Sequence, residues 1–132
     1  KQTNLMKIKK FNNYKDKRGN LFFNFYKDFN FKIKRIYFLK NFKNFSRGNH
    51  ARKYGKKLYV CLNGKVKISI ENKIIKRNFI LKTGDSIKIE KYNWIKIEGS
   101  SKSICLVLDS LEYNEKHYIR DKKIFMRIIK KK

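Results

Sequence analysis

Short runs in which apolar and polar residues alternate, each closed by a turn signal, follow one another along almost the whole chain. Alternation with a period of two is typical of strands that bury one face and expose the other. In the strongest run, residues 31–39, one face would carry Ile33, Arg35, Tyr37 and Leu39. Short strands at intervals of about 8–12 residues favour an antiparallel sandwich or barrel. The sequence therefore predicts an all-β fold.

Turn signals divide the chain into these strands. Asn63-Gly64 stands between the apolar runs 58–62 and 66–70, and in that context it is the strongest short-range signal for a tight hairpin. We also predict a turn at residues 14–20 and a loop at residues 40–49. The other predicted strands are 5–11, 21–26, 87–89, 94–97 and 104–108.

Helical spacing is found only at the C-terminal end, where apolar residues recur at intervals of three and four: Ile124, Phe125, Ile128 and Ile129. Asp121 stands where the N-cap of this helix is expected. We expect residues 126–132 to form a basic tail, frayed at its last three lysines. No linker or internal repeat divides the sequence, so a single domain over residues 1–132 is predicted.

Lysine and arginine outnumber aspartate and glutamate by 36 to 10, which gives a formal net charge of +26. Such a charge is compatible with nucleic-acid binding. Codon bias explains it better, because the lysines are scattered through every segment, proline is absent, and Ile, Asn, Phe and Tyr abound. A nucleic-acid partner is therefore not expected, although the charge should attract anionic ligands such as nucleotide diphosphates.

No apolar run approaches the ~18 residues of a membrane span, and the N-terminus is polar, so we expect a cytoplasmic protein without a membrane partner. Cys61 and Cys105 lie inside apolar, strand-like runs and have no CxxC partner. In the cytoplasm such cysteines are more often buried, inert thiols, and a disulfide is the alternative.

The stretch 47–64 resembles the first metal-binding motif of the cupins, which reads His-x-His, four residues, Glu, six residues, Gly. His50 and Gly64 match its ends, whereas Arg52 replaces the second His and Lys57 replaces the Glu. Trp94 stands where the last histidine ligand would be. A divalent metal needs several neutral or anionic ligands, and Arg and Lys repel it. A cupin with this sequence is expected to work without a metal or another cofactor.

Six stretches, in order along residues 7–125, resemble the nucleotide-sugar 3,4-ketoisomerases of the FdtA/QdtA/WxcM-like group. They are 16–21 (D-K-R-G-N-L), 31–37 (F-K-I-K-R-I-Y), 47–53 (R-G-N-H-A-R-K), 60–64 (V-C-L-N-G), Trp94, and 113–121 (Y-N-E-K-H-Y-I-R-D). The chain departs from the family pattern at Arg52, where the family has a second His, and at Lys56 and Lys57, where it has glutamines. The proline that precedes the family's Trp is also missing.

This resemblance implies a cupin-type antiparallel β-barrel, or jelly roll, with a short C-terminal helix. It implies the metal-free conversion of dTDP-4-keto-6-deoxyglucose to a dTDP-3-keto-6-deoxyhexose through an enediolate, in the biosynthesis of a 3-amino sugar. It also implies a homodimer that exchanges N-terminal strands. The alternatives are a cupin that only binds a nucleotide sugar or nucleic acid, and a related sugar-nucleotide epimerase.

A 3,4-keto shift needs a base at C3, a proton donor, and positive charge at the developing oxyanion. His50 is the motif residue that titrates near neutrality, and we expect it to be the base. Tyr37 is the candidate proton relay to the sugar oxygen or to C4. Arg52 stays protonated and cannot be a base, so we expect it to stabilise the enediolate and keep His50 neutral.

The rest of a dTDP-sugar needs contacts of its own. Arginine binds phosphate through two parallel hydrogen bonds, and the candidate cations for the diphosphate are Arg35, Arg47, Lys53 and Arg120. The thymine ring would stack on Trp94 or Tyr118.

Several of these residues have structural interpretations as well. Trp94 could belong to the core, and His117 is expected to be a solvated surface side chain because its neighbours are charged. Salt bridges are the alternative role of two arginines, joining Arg35 or Arg120 to Asp16 or Asp121.

Overall fold

The computed structural model describes residues 6–43 and 45–132. Within these residues, two five-stranded sheets pack face to face, accompanied by a two-stranded hairpin and a C-terminal helix. All the paired strands are antiparallel. The prediction of an all-β fold with a short C-terminal helix is confirmed.

The chain crosses between the two sheets at most connections. The first sheet has the strand order β1-β9-β6-β11-β4, and the second has the order β12-β5-β10-β7-β8. The helices are α1 (Tyr26–Phe29) and α2 (Lys122–Lys130), and a 3-10 turn (Glu115–His117) precedes the last strand. The strands are β1 Lys9–Lys10, β2 Asn12–Asp16, β3 Gly19–Phe23, β4 Arg35–Lys40, β5 Arg47–Arg52, β6 Lys57–Asn63, β7 Lys65–Glu71, β8 Lys76–Lys82, β9 Asp85–Ile89, β10 Trp94–Gly99, β11 Ile104–Asp109 and β12 Tyr118–Ile119.

The core lies between the sheets and is built from the inward side chains of both. Along β7, Val66, Ile68 and Ile70 are buried, and the residues between them are partly exposed. Across the core they belong to one cluster with Tyr59 and Val107 of the first sheet. Burial of one such aliphatic side chain is worth ~1.5–3 kcal/mol. A shift by one residue would expose the whole set, so burial of this face determines the register.

The Asn63-Gly64 signal predicts a turn correctly but predicts the wrong strand pairing. Gly64 has a φ of 71°, as the turn requires. The flanking strands do not pair with each other: β6 pairs with β9 and β11, and β7 pairs with β8 and β10. Because β6 already has a partner on each edge, the turn carries the chain across to the opposite sheet.

Boundaries in the N-terminal part differ from the predictions. The predicted turn at 14–20 is instead the hairpin β2–β3, and the Asp16 carboxylate accepts a hydrogen bond from the Arg18 amide at 2.9 Å inside the turn. The predicted strand 21–26 ends at Phe23, and α1 follows it. Of the predicted strand 5–11, only Lys9–Lys10 is paired with another strand, and its first residue, Leu5, lies outside the described residues.

The predicted strand 31–39 begins only at Arg35 but has the predicted alternation. Arg35, Tyr37 and Leu39 are half-buried and point inward, whereas Ile36 is 63% and Phe38 59% exposed. The inward face of β4 therefore carries polar side chains into the space between the sheets. The loop predicted at residues 40–49 is shorter than expected, because β5 already begins at Arg47.

The C-terminal helix is confirmed, with Asp121 as its N-cap. The Asp121 carboxylate accepts hydrogen bonds from the amides of Lys123 at 2.9 Å and Ile124 at 3.2 Å. Residues 126–132 are not a free tail, because α2 continues to Lys130 and Ile129 is only 4% exposed. The helix therefore packs onto the second sheet.

The two cysteines are buried, free thiols, as predicted, and the structure places them opposite each other on β6 and β11. Burial raises the pKa of both thiols, that of Cys105 to about 12. None of the helices in the described residues is long and apolar enough to span a membrane.

Candidate active site

A cavity of about 400 Å³ lies between the sheets and is lined by residues of both. Strands β4 and β6 contribute from the first sheet, and β5 and β12 contribute from the second. Its lining is rich in cationic and phenolic groups: Arg35, Tyr37, Arg47, His50, Lys57, Tyr59, Tyr113, Tyr118 and Arg120. Such a lining favours an anionic ligand.

Lys57 lies at the centre of this polar lining. Its ammonium donates hydrogen bonds to the phenol oxygens of Tyr37 at 3.1 Å and Tyr118 at 3.3 Å. Arg35 donates a further hydrogen bond to the Tyr118 oxygen at 3.5 Å. The His50 and Tyr118 rings meet edge to face, with centroids 4.9 Å apart. One imidazole and two phenols thus share a cavity around one ammonium.

Strand register places these groups side by side. Asp109 on β11 is opposite Lys57 on β6 and opposite Arg35 on β4, so three charged residues form a row across the first sheet. Alternation along β6 turns Lys57 and Tyr59 inward together. The site is therefore assembled from strands that are far apart in sequence.

The pKa values separate the roles that these groups can take. Burial, together with the charge of Lys57, lowers the pKa of His50 to about 4, so the imidazole is neutral at pH 7. Burial raises the pKa of Tyr37, which keeps its proton. Burial also lowers the pKa of Lys57. A neutral imidazole and a protonated phenol are the partners that proton transfer at a carbon next to a ketone needs.

Arg52 lies at the edge of the site and is held by a buried carboxylate. Its guanidinium donates two hydrogen bonds to Asp109, at 2.7 and 2.6 Å, and one to the Tyr54 carbonyl at 2.8 Å. Its side chain is 7% exposed and does not line the 400 Å³ cavity. Its charge still acts on His50, where it contributes to the lowered pKa.

The salt bridges differ from the alternatives that the sequence left open. Arg35 lies 3.6 Å from Asp109, and Arg120 pairs with Glu115 at 2.6 Å. Hydrogen bonds from Arg120, and then from Tyr113, lower the pKa of Glu115 to about 2. Both arginines nevertheless line the cavity, and the Arg120 guanidinium lies 4.7 Å from the centre of the Tyr118 ring.

Two predicted substrate-binding residues do not line the cavity. Trp94 packs against Phe125 of α2, with ring centroids 5.6 Å apart, and belongs to the cluster beneath that helix. Lys53 is half-buried, and its backbone amide donates to the His117 carbonyl at 2.8 Å. The other predicted contacts, Arg35, Arg47, Tyr118 and Arg120, do line it.

Sequence reasoning did not predict Lys57, Asp109 or Tyr113 as site residues, and it misjudged the exposure of His117. Lys57 entered only as a departure from a motif, although a lysine directly before the apolar run 58–62 could have indicated a buried charge. Asp109 had no signal beyond its place after a predicted strand. His117 is half-buried against the Tyr54 ring, at 5.1 Å between centroids, rather than solvated.

Across residues 6–43 and 45–132, no group of three or more His, Cys, Asp or Glu side chains is arranged to hold a metal ion. The groups that face the cavity are mainly cations and phenols, which fit a phosphate-bearing ligand better than a cation.

Several known 3,4-ketoisomerases have the same fold as this chain. QdtA from Thermoanaerobacterium thermosaccharolyticum, solved with TDP, is 28% identical with a TM-score of 0.88, covering 96% of this chain and 95% of its own. A 3,4-ketoisomerase from Helicobacter canadensis is 32% identical with a TM-score of 0.87, covering 95% and 97%. WlaRA from Campylobacter jejuni, a TDP-fucose-3,4-ketoisomerase, is 30% identical with a TM-score of 0.84, covering 94% and 95%.

These matches confirm the cupin-type sandwich that the resemblance implied. No curated protein matches the chain. The family model described as "WxcM-like, C-terminal" (FdtA) matches residues 4–130. The chain therefore belongs to the FdtA, WxcM-like C-terminal family.

Proposed function

We propose that this protein is a sugar 3,4-ketoisomerase that converts dTDP-4-keto-6-deoxyglucose to a dTDP-3-keto-6-deoxyhexose. The observation that carries the proposal is the neutral His50 imidazole, which faces the same cationic cavity as the Tyr37 and Tyr118 phenols. Proteins with the same fold support the substrate class, because QdtA has been solved with TDP and with TDP-4-keto-6-deoxyglucose.

In this reaction the neutral His50 removes the proton from C3, and the electrons move to the C4 oxygen to form an enediolate. Lys57 and Arg35 supply positive charge to that oxygen inside a partly enclosed site, where such charge is worth more than in water. Tyr37 stays protonated and donates a hydrogen bond to a sugar oxygen. Transfer of the O3 proton to O4 and return of the abstracted proton to C4 give the 3-keto isomer, a ketone that an aminotransferase could convert to a 3-amino sugar.

The diphosphate is bound by the other two arginines that line the cavity, Arg47 and Arg120. Tyr113 lies beside them and offers a face for the nucleotide base, whereas Tyr118 packs against His50, where the sugar would lie. Arg52 acts from outside the cavity: it anchors Asp109, and its charge helps to keep His50 neutral.

The homodimer that the resemblance implies is part of this proposal. In the described chain the β2–β3 hairpin pairs with no other strand, and Leu21 on it is 60% exposed. The outward face of the edge strand β4 exposes Ile36 and Phe38. A second copy would cover both apolar surfaces, which light scattering on wild type and Phe38→Glu would test.

The test of function is incubation with dTDP-4-keto-6-deoxyglucose in D₂O, followed by proton NMR, with and without a 3-aminotransferase. We expect loss of the C3 proton signal, appearance of a 3-keto sugar, and a 3-amino sugar in the coupled reaction. His50→Asn should abolish these changes yet still bind dTDP. No conversion by a wild-type protein that binds dTDP would contradict the proposal.

One observation favours a second candidate, a cupin that binds a nucleotide sugar without converting it. Arg52 stands where the family has a second histidine, and an arginine cannot accept the C3 proton. Tight dTDP binding without deuterium exchange would support this candidate. Elution from heparin only at high salt would instead point to a nucleic-acid ligand for the +26 charge.

A further inference from the structure

Lys57 is a buried cation without a carboxylate partner. It is 5% exposed, and none of the ion pairs in the described residues includes it. Its hydrogen-bond partners are the phenol oxygens of Tyr37 and Tyr118. Burying a charge is costly unless an opposite charge compensates it. Ionisation of one of the phenols would supply that opposite charge.

The geometry selects Tyr118 as the phenol that can ionise. Its oxygen accepts hydrogen bonds from two cations, Lys57 at 3.3 Å and Arg35 at 3.5 Å, whereas within residues 6–43 and 45–132 the Tyr37 oxygen accepts from Lys57 alone. The Arg120 guanidinium also lies 4.7 Å from the Tyr118 ring centre. Burial alone would raise the pKa of Tyr118, but the charge and hydrogen bond of Lys57 and the hydrogen bond of Arg35 lower it.

We propose that Tyr118 moves protons between the two sugar oxygens during isomerisation, and that Lys57 is the positioning residue that enables it to do so. This inference rests on the proposed function. It places Tyr118 at the sugar rather than at the nucleotide base, and it assigns a role to a lysine that departs from the family's motif.

The proton transfers balance without an additional reactant. His50 removes the C3 proton, the C3–H electrons form the C3=C4 bond, and the carbonyl electrons move to O4. The Tyr118 hydroxyl gives its proton to O4, which leaves a phenolate beside Lys57. That phenolate takes the proton from the O3 hydroxyl, the C3=O bond forms, and C4 receives the proton that His50 holds. Both side chains return to their starting states.

Lys57 does not act through a covalent bond in this scheme. An imine between its amine and C4 would become a C4 amine after the keto shift, and hydrolysis could not release the product. Its contribution is the charge and the hydrogen bond that stabilise the Tyr118 phenolate.

The first test is independent of turnover. Tyrosine labelled with ¹³C at Cζ reports ionisation of each phenol by NMR. In wild type we expect one tyrosine signal to titrate at a lower pH than the other tyrosine signals. This signal should be absent from the spectrum of Tyr118→Phe. Lys57→Met should move it up by about one pH unit or more, and Lys57→Arg should largely preserve it. Lys67→Met, which removes an exposed lysine paired with Glu98, should leave it unchanged.

A Tyr118 signal that titrates with the other tyrosines, or that does not respond to Lys57→Met, would overturn the coupling of the two residues. If Lys57→Met does not fold, Lys57→Gln provides the same comparison, because glutamine also lacks the charge.

The second test uses turnover. Loss of a positioned acid–base group typically costs ~10²–10⁴-fold, so Tyr118→Phe should lower kcat by that factor while dTDP binding changes by less than about threefold. Lys57→Met should also lower kcat, and Lys57→Arg should recover part of it. Full kcat in Tyr118→Phe overturns the proton-transfer role. Absence of turnover in wild type overturns the proposed function and this role together, while the NMR titration decides the Lys57–Tyr118 coupling by itself.

Discussion

The buried ion pair beside the cavity leads to a quantitative prediction. Asp109 is fully buried, and Arg52 binds its carboxylate through two short hydrogen bonds while its own side chain is 7% exposed. The substitution Asp109→Asn keeps the size of the side chain and removes its charge. It leaves the Arg52 guanidinium in the interior without a counter-charge.

The expected loss follows from these contacts. Removal of one partner of a buried ion pair typically costs ~3–5 kcal/mol. The Asp109 carboxylate also accepts from the Leu111 amide at 3.0 Å, and the single amide oxygen of Asn cannot satisfy all three donors. A charged donor without its partner costs ~1.5–3 kcal/mol. We therefore expect Asp109→Asn to lower the free energy of unfolding by about 3 kcal/mol.

This loss is measured by urea unfolding at pH 7 and a fixed protein concentration. The fluorescence of Trp94, the single tryptophan, reports the transition. The matched control is Glu98→Gln, which breaks an exposed pair with Lys67 whose side chains are 44% and 43% exposed. Exposed ion pairs contribute ~0.2–1 kcal/mol, so Glu98→Gln should change the free energy of unfolding only slightly.

A double variant separates charge from packing. Arg52→Met with Asp109→Leu removes both charges, and we expect it to be more stable than Asp109→Asn because the buried Arg52 charge is removed together with its partner. A loss below ~1 kcal/mol in Asp109→Asn, similar to the Glu98→Gln control, would refute the assignment of a desolvated ion pair.

Three further predictions concern other parts of the chain. His50 must be neutral to act as a base, so its pKa of about 4 should place the acid limb of the kcat/KM profile well below histidine's usual pKa of ~6.5. An acid limb near pH ~6.5 would contradict this prediction. Asp121→Ala should lower the free energy of unfolding, measured in urea, by ~1 kcal/mol, and Asp121→Ser should lower it much less. Equal losses of stability in the two variants would argue against the role of Asp121 as an N-cap. A thiol reagent should modify buried Cys61 and Cys105 only after unfolding, and rapid native modification would show that the sheets open.

Local patterns in the sequence predicted features that depend only on neighbouring residues. Alternation placed Arg35 and Tyr37 on the inward face of one strand, and Asp121 was identified as a helix cap. The ordered motifs identified the family and the sandwich fold. Each of these features follows from backbone periodicity or from a short run of residues, so the sequence alone was sufficient.

Features that depend on distant strands were not predicted. The Asn63-Gly64 pattern is a property of a turn, but the partners of β6 and β7 are strands elsewhere in the chain. The sequence left two interpretations of Trp94 open, stacking on the nucleotide base and packing in the core, and only the structure, which places it against Phe125 of α2, decides for the core.

The sequence by itself determined the alternating strands, the family and six of the residues that line the cavity: Arg35, Tyr37, Arg47, His50, Tyr118 and Arg120. Only the tertiary structure brought Lys57 between two phenols and gave Arg52 its partner Asp109, 57 positions away. The physical reason is that a charge inside a protein takes its pKa and its role from the groups packed around it. Those groups are set by strand register across both sheets, which no single stretch of the chain encodes.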